Sequence, residues 1–121
     1  MYNKPLIVFE GIEVSGKTTN IRIVSKLLRR LKKDHIKFRE PGGSKYSEVI
    51  RKLILNNKSK TNYITDLLLI LASRSENIEN IIKKNYRKKI ILIDRFVDST
   101  VAYQHYGMNI DISLIKKMND F

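Results

Sequence analysis

The stretch Leu6-Ile7-Val8-Phe9-Glu10-Gly11-Ile12-Glu13-Val14-Ser15-Gly16-Lys17-Thr18-Thr19-Asn20 joins a short apolar run to a glycine-punctuated turn and then to a periodic segment. The apolar run Leu6 to Phe9 reads as a buried strand. Ile21, Val24, Leu27, Leu28 and Leu31 recur at the i, i+3, i+4 spacing of a helix from Thr18 to Leu31. Between the two, Gly11 to Thr18 fits the spacing G-x-x-x-x-G-K-[ST], in the strand-before, helix-after setting that this motif requires. The spacing serves phosphate capture. Backbone N–H groups of the loop and of the helix N-terminus surround a β-phosphate, Lys17 reaches the β and γ oxygens, and the Thr18 hydroxyl ligates Mg²⁺. Gly11, Ile12, Glu13, Val14, Ser15, Gly16, Lys17, Thr18 and Thr19 thus form a candidate site for ATP and Mg²⁺.

Outward from this loop, short apolar runs alternate with helical periods. Ile36 to Arg39 is a second strand. The turn Glu40-Pro41-Gly42-Gly43-Ser44-Lys45-Tyr46-Ser47 offers a helix start at Ser44 or Ser47, followed by Val49, Ile50, Leu53 and Ile54. A third helix covers about Thr65 to Ile82, and Lys88 to Asp94 is a strongly apolar strand. A loop, a helix near Thr100 to Tyr106 and a last helix from about Asp111 follow. Strands separated by helices, with apolar strands, predict an α/β fold whose parallel sheet is covered on both faces. Ligands of such sheets sit at the carboxyl ends of the strands. Glu10 to Gly16, Arg39 to Gly43 and Asp94 to Ser99 are therefore expected to converge on one cleft.

The chain has 121 residues, which suits a single domain over residues 1–121. It has no cysteine, no run of membrane-spanning length and no leader pattern, which points to a cytoplasmic protein with no membrane partner. A formal charge of +12 raises the question of a nucleic-acid partner. The lysines are scattered, however, and the blocks Arg29 to Asp34 and Lys83 to Lys89 read as solvated helix ends. A small phosphorylated ligand also draws on positive charge. A nucleic-acid role is therefore not favoured.

Asp94 ends an apolar strand where a second acidic group would act on Mg²⁺ or its water. Arg95 follows at once. Neighbouring side chains at a strand end diverge, so Arg95 is free to bridge phosphoryl oxygens bidentately. A guanine reader of the form Asn-Lys-x-Asp is missing: the nearest run, Asn57-Lys58-Ser59-Lys60, has the wrong fourth residue. His35 and His105 are given no role, lone histidines near helix ends being surface residues more often than ligands, and Phe9, Phe38 and Phe96 read as core or cleft walls. Phosphoryl transfer to a small acceptor is the leading class. A nucleotide-binding remnant without turnover and a salt-sensitive polyanion binder are the alternatives.

Taken together, the segments from Phe9 to Thr19, Arg39 to Gly43, Leu67 to Ile82, Ile93 to Gln104 and Leu114 to Phe121 resemble the thymidylate kinase family, bacterial type. The ordered pair Arg39-Glu40-Pro41-Gly42-Gly43 and Asp94-Arg95-Phe96 with Ser99-Thr100 and Ala102-Tyr103-Gln104 is far more specific than a phosphate loop alone. The resemblance implies a P-loop NTPase fold of the nucleoside monophosphate kinase type, transfer of the γ-phosphoryl of ATP to dTMP, and a homodimer. It implies that Lys17, Arg95, Asp94 and Glu13 carry catalysis, and that Glu13 accepts from the acceptor's 3′-hydroxyl. By the same resemblance Arg39, Arg51 and Arg95 approach the dTMP phosphate while Glu40 orients neighbouring groups. Arg74 donates to the thymine carbonyl edge, Thr100 reads the base, Gln104 supports the base side, and Ser99 belongs to the same substrate site. Tyr103 packs against the deoxyribose. Two departures follow. Ile70 stands where the family stacks a Phe on the base, and Val14 stands where some members carry a phosphate-loop arginine. The chain also stops before the next strand and the lid that supplies that arginine elsewhere, so a fragment lacking the C-terminal strands is expected, with the first strand unpaired on one edge. Another nucleoside or deoxynucleoside monophosphate kinase is the nearest alternative.

Overall fold

The computed structural model describes residues 4–56 and 61–120. Three strands, β1 (Leu6–Phe9), β2 (His35–Arg39) and β3 (Ile90–Asp94), form one parallel sheet in the order β1-β3-β2. Parallel neighbours need a crossover between them, and helices supply it: α1 (Lys17–Arg30) after β1, then α2 (Lys45–Leu55), α3 (Tyr63–Asn77) and the short α4 (Lys83–Asn85) between β2 and β3. Beyond β3 come α5 (Val97–Thr100) and α6 (Ile112–Asn119). The register sets Phe9 and Arg39 on either side of Asp94, so all three strands deliver their carboxyl ends at one level. Three loops that are remote in the chain therefore start side by side.

The core has two parts. Ile91, Leu92 and Ile93 of β3 are wholly buried in the middle of the sheet. Leu67 and Leu71 of α3 pack with Ile110 and Ile115, with Val101, Met108 and Met118 against them. At about 25 cal/mol per Å² of apolar surface removed from water, each fully buried Ile or Leu stabilises the fold by about 1.5–3 kcal/mol.

Helix ends follow local chemistry. Ser44 caps α2 by accepting from the Ser47 N–H, and Asn62 caps α3 by accepting from Thr65. Asp111 caps α6 through the N–H groups of Ser113 and Leu114. Hydrogen bonds from Ser113, side chain first and then backbone, and from the Leu114 backbone hold the Asp111 carboxyl below its usual 3.8. A depressed folded value means that its contribution to stability is present above 3.8 and is lost as pH falls through the lower folded value. Acidification below 3.8 is therefore expected to release the Ser113 and Leu114 amides to hydrogen exchange. In Asp111→Asn, where the cap no longer titrates, their protection should stay level.

Several expectations are corrected by tertiary context. The third helix, expected over about Thr65 to Ile82, is helical throughout that span but turns π-helical from Ile78 to Ile82, as does the segment Val101–Gly107 after α5. Leu27 of α1, Leu31 at its C-terminal cap, and Val49 and Leu53 of α2 fit the helical period yet are 52–58% exposed. The expectation that Leu6 to Phe9 is a buried strand is met only in part, since Leu6 is 39% exposed and Ile7, Val8 and Phe9 are half-buried. Among the described residues β1 pairs with β3 alone, so its other edge is open, as the resemblance implied. His35 and His105, which carry no assigned role in the sequence, are half-buried ties: His35 bonds the Ser25 hydroxyl at 2.7 Å and the Lys33 carbonyl at 3.1 Å, and His105 bonds the Ile110 carbonyl at 2.7 Å. The Asn57 to Lys60 run lies outside the described residues.

Candidate active site

The phosphate loop is built as its spacing demands. Gly11 has φ 150°, and a Cβ there would stand 2.7 Å from the Ser15 hydroxyl, so no larger residue fits without a shift. Gly16, at φ 82°, forms the N-terminal boundary of α1. Val14 takes a left-handed φ of 60° at the loop tip, a strained choice for a β-branched residue, with its side chain fully exposed. The Lys17 ammonium donates to the carbonyls of Gly11 at 2.9 Å and Ile12 at 2.8 Å. It therefore lies folded across the loop that a phosphate would fill.

Two cavities open at the carboxyl ends of the strands. One, of about 400 Å³, is lined by Thr18, Arg39, Glu48 and Asp94 with Phe38 as a wall. The other, of about 310 Å³, is lined by Glu13, Glu40, Arg51, Ile70, Arg74, Arg95, Ser99, Thr100, Tyr103 and Gln104, with Phe96 as a wall. Asp94 and Arg95 face different cavities, and among the described residues neither forms an ion pair. The divergence expected of adjacent strand-end residues is realised. Arg39 stands apart from the rest of its expected group: it lines the Thr18 cavity and pairs with Glu48 at 3.8 Å.

Asp94 Oδ1 is buried and has no hydrogen-bond partner, the one such side-chain atom among the described residues. No group of three or more His, Cys, Asp or Glu side chains able to hold a metal occurs among those residues. An orphaned carboxylate oxygen in the same cavity as the Thr18 hydroxyl suits a cation that brings most of its oxygen ligands with it, which is how Mg²⁺ accompanies a nucleotide.

The second cavity rests on a buried ion pair. Arg74 of α3, 5% exposed, donates from Nε to Glu40 Oε2 at 2.9 Å, from Nη1 to Asn119 at 2.6 Å, and from Nη2 to the Phe96 carbonyl at 3.1 Å and the Thr100 hydroxyl at 2.8 Å. Its cation also lies 4.9 Å from the Phe96 ring centre. Burial raises the Glu40 carboxyl above its usual 4.5, and Arg74 opposes that shift. Asn77, fully buried, donates to the Gly42 carbonyl at 2.6 Å and to Glu40 at 3.4 Å, and accepts from the Ser44 N–H at 3.1 Å. Ser73 accepts from the Gly42 N–H at 3.2 Å. The loop Glu40 to Ser44, with a cis bond between Glu40 and Pro41, is thus fastened to one face of α3. Gly43 has φ 112°, and a Cβ there would lie 2.8 Å from Phe38 and 2.9 Å from Asn77. Arg51 donates to the Pro41 carbonyl at 2.9 Å. Burial, then the nearby Arg39 charge, lowers its proton affinity.

Glu13, Arg51, Ile70, Arg74, Arg95, Ser99, Thr100, Tyr103 and Gln104 do meet around one cavity. Sequence reasoning missed Ser73, Asn77 and Asn119 as its supports, and Glu10 as the tie between β1 and α5. A polar residue repeating every three to four positions on the otherwise apolar α3, at Ser73 and Asn77 beside Arg74, was the available signal.

A parallel sheet with a glycine phosphate loop leading into a helix, and two cavities at its strand ends, defines an α/β protein of the P-loop class. A sequence profile described as Thymidylate kinase matches residues 9–121. The thymidylate kinase of Kosmotoga olearia is 42% identical over 116 residues, 95% of this chain and 56% of that protein. That of Sulfurihydrogenibium sp. is 44% identical over 115 residues, 93% of this chain and 56% of that protein. A crystal structure of thymidylate kinase from Ehrlichia chaffeensis superposes with a TM-score of 0.90 at 39% identity, covering 98% of this chain and 66% of that one. The chain belongs to the thymidylate kinase family. It spans about half the length of the curated relatives it matches.

Proposed function

We propose that residues 1–121 act as one domain that holds ATP and dTMP for transfer of the γ-phosphoryl group, giving dTDP and ADP. The observation that carries this reading is the divergence of Asp94 and Arg95 into two cavities beside one phosphate loop. Lys17 would exchange its loop carbonyls for the β and γ oxygens. Thr18 and Asp94 would hold Mg²⁺, which neutralises charge on those oxygens. On the acceptor side Arg95, Arg51 and, after leaving Glu48, Arg39 would meet the dTMP phosphate. Glu13 would take the 3′-hydroxyl, and Tyr103 would pack on the deoxyribose. Arg74 has five N–H groups and four hydrogen bonds within the protein, which leaves one Nη1 hydrogen for a base carbonyl. Catalysis on this plan is positioning and charge neutralisation, with no covalent enzyme intermediate.

An ATP-coupled assay with dTMP, dUMP, dCMP and dGMP tests the reading. A preference for dTMP is expected, because a site built to hydrogen-bond a base rejects one that leaves its buried groups unpaired. ATP binding without turnover of any monophosphate would replace the reading with an inactive nucleotide-binding protein. Ile70 lines the cavity without a ring to stack. Ile70→Phe is therefore expected to tighten dTMP binding by about 1 kcal/mol, the lower end for base stacking, since Ile already fills part of the space. An unchanged dTMP KM would count against a base seated on residue 70.

Exposed apolar stripes support a homodimer. Tyr46, Val49 and Leu53 line one side of α2, and Ile64 and Leu68 one side of α3, all 45–69% exposed. A single-subunit mass in sedimentation would remove this part of the proposal. Among the described residues no helix is long and apolar enough to cross a membrane, which is compatible with a cytoplasmic site of action.

A further inference from the structure

The carboxylate of Glu10 lies between the phosphate loop and the acceptor cavity, and its contacts all point one way. It directly follows β1, one residue before Gly11. Its Oε1 accepts from the backbone N–H of Phe96 at 2.8 Å and of Ser99 at 3.4 Å, and its Oε2 accepts from the Ser99 hydroxyl. Among the described residues Glu10 forms no ion pair. Its charge is met by two backbone N–H groups and one hydroxyl.

Those donors flank Arg95. The Arg95 backbone has φ 68°, a left-handed conformation uncommon for a side-chain-bearing residue. Two bonds to the end of β1 hold it there: its own N–H donates to the Phe9 carbonyl at 3.0 Å, and the next N–H donates to Glu10. The side chain is held as well. Arg95 Nη1 donates to the Ser99 hydroxyl oxygen at 3.5 Å and to the Tyr103 hydroxyl at 3.2 Å, with the guanidinium carbon 5.2 Å from the Tyr103 ring centre. Ser99 can accept from Arg95 because its own proton is committed to Glu10. A hydroxyl has one proton and two lone pairs, so the carboxylate decides which way those lone pairs face.

We propose that Glu10 is a positioning residue for the acceptor site: through Ser99 and the Phe96 N–H it fixes the guanidinium of Arg95 where an acceptor phosphate monoester is to be gripped. The inference deepens the kinase reading above and rests on it. Since Glu10 is joined covalently to Gly11, one strand end sets both the donor loop and the acceptor cation. Precise placement matters because a misplacement of about 1 Å can lower a rate about a hundredfold.

Glu10→Gln is close to isosteric and retains an oxygen for the Phe96 N–H. Its amide N–H₂, facing Ser99, would force that hydroxyl to accept and turn its proton away, toward Arg95. The expected result is a rise of tenfold or more in the dTMP dissociation constant by calorimetry, with ATP affinity within twofold of wild type and an unchanged thermal midpoint. Ser99→Ala, which keeps the backbone bonds to Glu10, is expected to move in the same direction by a smaller factor. In an Arg95→Met background, Glu10→Gln should add nothing further to the loss of dTMP affinity. Equal dTMP binding by wild type and Glu10→Gln overturns the inference and leaves the kinase reading standing. So does an equal loss of both ligands accompanied by a lower midpoint, or full additivity with Arg95→Met. A wild-type chain that binds ATP but no dTMP overturns both.

Discussion

Lys17→Ala is expected to weaken ATP binding about 10- to 100-fold and to lower turnover about 10²- to 10³-fold, while leaving the unfolding free energy within about 1 kcal/mol of wild type. The split follows from what the ammonium touches. In the structure it bonds two backbone carbonyls of its own loop, Gly11 and Ile12, at a partly exposed position. Neutral acceptors near water return only about 0.5–1.5 kcal/mol net per bond, and water can take over both carbonyls once the side chain is gone. With a triphosphate in the loop the same ammonium faces anionic oxygens, where a charge-assisted bond is worth about 1.5–3 kcal/mol, or one to two decades of affinity. Charge develops further on those oxygens during transfer, and removing one preorganised donor of that kind costs about 10²–10³ in rate. Calorimetry with ATP, a dTDP-forming assay and urea unfolding of the same preparation check the three numbers. Unaltered ATP affinity would show that the loop does not hold phosphate through Lys17, and the site would have to be read anew.

The phosphate loop could be read from the chain because its determinants are local. Glycine at positions 11 and 16, a strand before and a helix after all follow from a dozen consecutive residues, and β1 and the cap residues Ser44 and Asp111 follow from equally short windows. The apolar period also found the right helices but not which of their residues are covered. Leu27, Leu31, Val49 and Leu53 obey the period, yet what packs on a helix face is decided elsewhere in the structure. The acceptor side was legible only as a set of residue types borrowed from a resemblance. Its scaffold was not, because Arg74 meets Glu40 across 34 positions and Asn119 across 45. No propensity or spacing rule reaches that far. The same limit hid Glu10, whose partners lie 86 and 89 positions away.

That long-range scaffold carries the second large effect. Arg74→Met is expected to destabilise the fold by about 3–5 kcal/mol, seen as a lower urea midpoint with an unchanged slope. Met fills much of the stem's volume, so the loss reflects charge rather than a cavity. It leaves the Glu40 carboxylate, 3% exposed, with Asn77 at 3.4 Å in place of a guanidinium at 2.9 Å. It also strips the Phe96 carbonyl and the Thr100 hydroxyl of their donor. A buried charge without its partner is far more costly than the pair is stabilising, which is why deleting one member exceeds the modest worth of the bridge itself. Against a total of about 5–15 kcal/mol for a typical domain, the loss takes a large share. Arg74→Lys should recover little, since a single ammonium cannot span four acceptors that a planar fork reaches together. The double variant Arg74→Met with Glu40→Leu separates the two accounts. If unpaired charge dominates, removing the carboxylate as well should restore part of the stability. If the double variant is as unstable as the sum of its parts, α3 is held to the Glu40 loop by packing, and the ion pair is incidental to the fold. In either case dTMP affinity should stay low, because both variants lack the Arg74 Nη1 hydrogen proposed for the base carbonyl, and Phe96 and Thr100 have lost their bonds to α3.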